Sequence, residues 1–82
     1  MRLPRDISGD DLVSYLSNLG YRVVRQTGSH MRLTTQVNGA HHITIPRHDP
    51  LRVGTLAAIL GDVAQHFGWS RQELIDQLFG KE

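Results

Sequence analysis

With 82 residues, 39% of them hydrophobic, the chain has material for one small core, so a single domain over residues 1–82 is expected. It contains no cysteine, which excludes a disulfide framework and a thiolate zinc site, and no run resembles a signal-peptide core or a membrane span. The net charge of +1 conceals an asymmetry: residues 1–52 hold seven arginines against four aspartates (+3), and residues 53–82 hold Arg71 and Lys81 against four acids (−2).

Ser8, followed three residues later by Asp11, has the spacing of a capping box. Leu12, Val13, Leu16 and Leu19 then recur at helical spacing up to Gly20, predicting a first helix over about 9–19. Tyr21 to Gln26 is a short β-prone run that Thr27-Gly28 breaks. From Ser29 to Gln36 the chain alternates strictly, Met31, Leu33 and Thr35 against His30, Arg32 and Thr34. After Val37-Asn38-Gly39, Ile43 and Ile45 alternate with His42 and Thr44 in a third strand over 41–46. A second helix is expected from about Gly54-Thr55, with Leu56, Ile59, Leu60, Val63 and Phe67 on one side and Gly68 as its stop. Ser70-Arg71-Gln72-Glu73 is a second capping box and opens a short last helix.

Loop length decides the hairpin register. A two-residue Asn-Gly turn would set Leu33 against Thr44. A three-residue loop over Val37–Gly39 instead pairs Leu33 with Ile43 and Met31 with Ile45, and so keeps one face apolar. The other face then carries His30, Arg32, Thr34, Thr44 and His42. His30 falls opposite Pro46, with Arg47 and His48 emerging beside it, while His42 lies about 13 Å along the strand. Pro46 cannot donate to a ladder, which places the third strand at an edge. The expected fold class is α+β: a three-stranded antiparallel sheet with helices on one face, in the order α-β-β-β-α with an extra short C-terminal helix.

Eight of the nine basic residues are arginine, whose planar fork binds phosphate in bidentate fashion. The arginine-rich first half is therefore a candidate polyanion-facing surface, although solvated arginines lining a strand would look the same. No two carboxylates converge in this arrangement, so no carboxylate-held metal is expected. His41 and His42 are adjacent strand residues that point to opposite faces and cannot easily share an ion. His66, near a helix C-terminus, fits a favourable dipole interaction and receives no function. His30 stands apart, because it follows Gly28, which lets a backbone or ligand approach closely. It also shares its face with Arg32 and has Arg25 and Arg47 nearby. An imidazole beside phosphate-binding arginines suits RNA cleavage, in which the ribose 2′-hydroxyl is an internal nucleophile and no metal or cofactor is required. From the residues alone, a catalytic histidine and a plain strand-surface histidine both stand.

The helix after "ISGDDL", the block "LGYRVVRQTGSHMRL", the strand end "ITIPRH" and "GTLAAIL" occur in an order that resembles the HicA toxins of bacterial type II toxin–antitoxin systems. The resemblance covers about residues 6–60. It implies a double-stranded-RNA-binding-domain-like fold and ribosome-independent cleavage of mRNA by an endoribonuclease; the lack of a signal-peptide core or membrane span makes a cytoplasmic location with no membrane contact the expectation. It also implies a catalytic histidine in Gly-Ser-His, here His30. The residues around it make Arg25, Gly28, Ser29, Arg32, Arg47 and His48 the RNA-binding candidates, and the register makes His48 the best-placed candidate for a second proton-transfer group, against the plainer reading of a solvated loop residue. The partner it implies is a HicB-type antitoxin in a hetero-oligomeric complex. Two departures stand out: "GDVAQHFGW" (61–69) is longer than expected between the last two helices, and Arg52-Val53-Gly54-Thr55 lacks the lysine cluster of duplex-RNA binders. The competing expectations are a non-catalytic RNA-binding module on the same face and a protein-interaction domain.

Overall fold

Ser8 and Asp11 open the first helix as their spacing predicts. In the computed structural model, which describes residues 6–80, the Asp11 N–H donates to the Ser8 hydroxyl at 3.0 Å and the Ser8 N–H donates to the Asp11 carboxylate at 3.1 Å. The pair satisfies two N–H groups at the helix start. Helix α1 runs Gly9–Leu16 and tightens into a 3-10 turn over Ser17–Leu19, so the expected helix over 9–19 is present with a changed last turn.

Three antiparallel strands follow, β1 (Arg22–Thr27), β2 (His30–Thr35) and β3 (His41–Pro46), in the spatial order β1-β2-β3. Leu33 pairs with Ile43, Met31 with Ile45 and His30 with Pro46, the register that the three-residue loop requires. Asn38 (φ 58°) and Gly39 (φ 95°) take the left-handed conformations that close this loop. As expected, β3 is an edge strand.

Helix α2 (Val53–Phe67) begins slightly earlier than expected, after Arg52 and without a side-chain cap. The segment 61–67 simply continues it, and Gly68 ends it. Helix α3 (Arg71–Phe79) starts with the Ser70–Glu73 capping box. Met31, Leu33, Ile43 and Ile45 from the sheet pack against Leu12 and Leu16 of α1, Leu56 and Leu60 of α2, and Leu74 of α3. The architecture is the expected α+β arrangement. Full burial contributes roughly 1.5–3 kcal/mol for each such aliphatic side chain. Every residue of β1, by contrast, is exposed, so that strand is held mainly by pairing with β2.

Among the described residues every buried side-chain nitrogen and oxygen has a hydrogen-bond partner. Thr35, 1% exposed, donates through Oγ1 to the Leu19 carbonyl at 3.0 Å and accepts the Val37 N–H at 3.1 Å. It thereby ties the end of the first helical segment to the β2–β3 loop. An unsatisfied hydroxyl at such a position would cost about 1–3 kcal/mol.

Candidate active site

The turn Gly28–Ser29 joins β1 to β2, with Thr27 opposite His30. Gly28 has φ 55°, and a Cβ there would meet no atom within 4 Å. Its requirement is therefore conformational, the positive φ that two-residue hairpin turns need, and it borders open space. The turn delivers His30 as the first residue of the central strand, exposed, between Thr27 on one side and Pro46 on the other. The hydrogen-bonded rings among the described residues are those of His41 and His66; the His30 ring has no such partner there.

The β1–β2 register assembles the cations. Pairing runs Arg22–Thr34 and Val23–Leu33, skips Val24, and resumes as Arg25–Arg32. Val24 is thus the extra residue of a β-bulge. Directly paired residues share a face, so Arg25 and Arg32 lie side by side on the face of His30, about 7 Å along the strand from it. Like charges set opposite one another disfavour the pairing, and among the described residues no carboxylate offsets them. The sequence shows why: no Asp or Glu occurs between Asp11 and Asp49, the span that supplies the whole sheet. A bound polyanion would relieve the repulsion.

The end of β3 is anchored against α1. The Arg47 N–H donates to the Ser29 carbonyl at 2.6 Å, and the Gly9 N–H donates to the His48 carbonyl at 2.9 Å. A Cβ on Gly9 would collide with the Pro46 carbonyl, so glycine permits this close approach of helix and strand. Arg47 and His48 do leave the sheet beside His30, as the register predicts. The Arg47 guanidinium, however, donates to the Asp10 carboxylate at 3.2 Å, in the first turn of α1. Both groups are exposed, and such a pair is worth only about 0–1 kcal/mol, so a phosphate can compete for the arginine. His48 is an exposed loop residue. Among the described residues, no three His, Cys, Asp or Glu side chains gather as a metal-binding group.

A second constellation was not visible in the sequence. His41 turns toward the helices, as its alternation with the exposed His42 requires. Its Nε2 lies 3.2 Å from Asp62 Oδ1 and its Nδ1 lies 2.6 Å from the Tyr21 hydroxyl. A carboxylate accepts, so Nε2 carries the hydrogen, and in the neutral ring Nδ1 accepts from the phenol. The His66 ring stacks on His41 with centroids 4.5 Å apart, and its Nε2–H donates to the Val37 carbonyl at 2.9 Å. Tyr21 is 1% exposed, and burial, with a further contribution from the nearby Asp62 charge, pushes its phenol up to about 12. The group clamps the β2–β3 hairpin onto α2. Its one sequence signal was the i, i+4 spacing of Asp62 and His66, which puts both on one helix face.

Among the described residues no helix is long and apolar enough to cross a membrane. Residues 9–69 match a family model described as HicA toxin of bacterial toxin-antitoxin, a span that includes α1, the whole sheet, the turn carrying His30, and α2. No curated protein and no solved structure matches the chain.

Proposed function

The chain belongs to the HicA toxin family, the toxins of bacterial toxin–antitoxin pairs, and from that premise we propose that it is a metal-independent, ribosome-independent endoribonuclease acting on mRNA. The observation that carries this reading is the imidazole of His30, without a hydrogen-bond partner among the described residues, on an acid-free sheet face with Arg25 and Arg32 paired beside it. A ribose 2′-hydroxyl attacks the adjacent phosphorus, a 2′-O–P bond forms and the P–O5′ bond breaks. His30 takes the 2′ proton as general base or delivers a proton to the departing 5′ oxygen as general acid, and water serves the other transfer. Arg25 and Arg32 bind the phosphate and stabilise the charge that develops on its oxygens. The open Gly28–Ser29 turn lets the RNA backbone approach His30, and Arg47 and His48 border the same end of the sheet.

The same reading assigns a double-stranded-RNA-binding-domain-like fold to a single domain, cytoplasmic mRNA as substrate, and a HicB-type antitoxin that neutralises the toxin in a hetero-oligomeric complex by covering this face. Expression of the chain without its antitoxin is expected to arrest growth, and expression of His30→Ala is not. Equal arrest by the variant would remove His30 from the mechanism. Purified protein is expected to cleave RNA in the presence of a chelator; cleavage that stops there and returns with a divalent cation would sink the metal-independent chemistry. RNA binding without any cleavage would leave the non-catalytic module as the answer.

A further inference from the structure

The β1 bulge has an effect on charge as well as on pairing. Arg22 and Arg25 are three residues apart, and in a regular strand that odd spacing sends their side chains to opposite faces. Insertion of Val24 as an unpaired residue reverses the parity upstream of it. Arg22 therefore pairs with Thr34, on the face of Arg25, Arg32 and His30. Like them, Arg22 is exposed, and among the described residues it has no acidic partner. The guanidinium-bearing positions follow the strand away from His30. Arg25 and Arg32 sit about 7 Å from it and Arg22 about 13 Å from it, level with Thr34 and His42.

We infer that Arg22, set on this face by the bulge at Val24, is a further RNA-phosphate contact, remote from the scissile bond, and that the bound strand runs along β2 from His30 toward the His42 end. The inference rests on the ribonuclease reading of the His30 site and extends it. A stacked strand carries one phosphate per about 3.4 Å, so the track from His30 to Arg22 spans about four nucleotides. Single-stranded RNA fits this surface better than duplex, because the chain lacks a lysine cluster at the start of α2.

The test measures RNA binding in the His30→Ala background, which prevents turnover, with a 12-nucleotide single-stranded RNA over a range of salt concentrations. Arg22→Ala is expected to reduce the slope of log K against log salt by about 0.7, the value for one phosphate on a single strand. Arg71→Ala, which removes the same charge from α3 on the helix side, is expected to leave the slope alone. With a three-nucleotide RNA too short to reach Arg22 from the His30 end, the loss from Arg22→Ala is expected to shrink below that from Arg25→Ala. An unchanged slope in Arg22→Ala, while Arg25→Ala and Arg32→Ala still lower it, overturns the inference and leaves the ribonuclease reading standing. Absence of RNA binding in the parent overturns both. Arg22→Gln repeats the measurement with a side chain of similar length, and a slope equal to the parent's in that variant also overturns the inference.

Discussion

Two groups of histidines, at opposite ends of the same sheet, are built on opposite principles. At one end, His30 is exposed, lacks a hydrogen-bond partner among the described residues, and sits beside Arg25 and Arg32, which no carboxylate among the described residues neutralises. At the other, both ring nitrogens of His41 are engaged, by Asp62 and by buried Tyr21, and His66 stacks on its face. A ring whose nitrogens are already committed has no free site for a substrate, so its value lies in holding elements together. A ring with both nitrogens free contributes little to folding and is available for proton transfer. Residue type does not separate the two roles; the number of satisfied nitrogens does.

The contrast can be broken by mutation, and the largest effect is expected at His30. Replacing it with Ala should lower RNA cleavage by about 100- to 10,000-fold, the range for loss of a positioned acid–base group. Its unfolding free energy should stay within about 0.5 kcal/mol of wild type, as for other exposed sites. A destabilised variant would mean that His30 also supports the fold, and the two ends would then not differ as described.

The next test is alkaline titration of the other end. The folded phenol of Tyr21 holds its proton to about pH 12, whereas in the unfolded chain it titrates near 10. Stability from this source is thus complete below pH 10 and is lost as pH rises from 10 to 12. At about 1.4 kcal/mol per unit, the loss is on the order of 3 kcal/mol. Denaturant titrations of wild type and Tyr21→Phe across that window should diverge by this amount, with the flatter profile in the variant. Parallel profiles would show that the phenol is not desolvated in solution.

A smaller effect is expected for His41→Ala. The variant leaves the buried Tyr21 hydroxyl without its acceptor and removes the tie to Asp62, which should cost about 2 kcal/mol. Cleavage by the molecules that remain folded should match wild type, since His41 pairs with Thr35, five residues along β2 from His30. A loss of cleavage without loss of stability would reverse the assignment of the two ends.

Much of this molecule follows from local patterns. The capping boxes at Ser8 and Ser70, the periodicity of α2 and the strict alternation in β2 and β3 each depend on residues a few positions apart, and each matches the structure. The β2–β3 register could be read because only one loop length keeps both apolar sets on one face. The Gly-Ser-His turn that presents His30 is likewise local.

What tertiary structure alone decided lies where no such pattern exists. Strand β1 reads Arg-Val-Val-Arg-Gln-Thr and is exposed throughout, so no alternation pins its register against β2. The bulge at Val24, and with it the faces of Arg22 and Arg25, arises from pairing across the sheet. The same holds for Arg47, drawn to Asp10 from 37 residues away, and for His41, joined to Tyr21 and Asp62 across 20 and 21 residues. Sequence periodicity reports which face of an element is buried. Which partner a polar side chain finds depends on how elements meet, and that is settled only when the chain closes on itself.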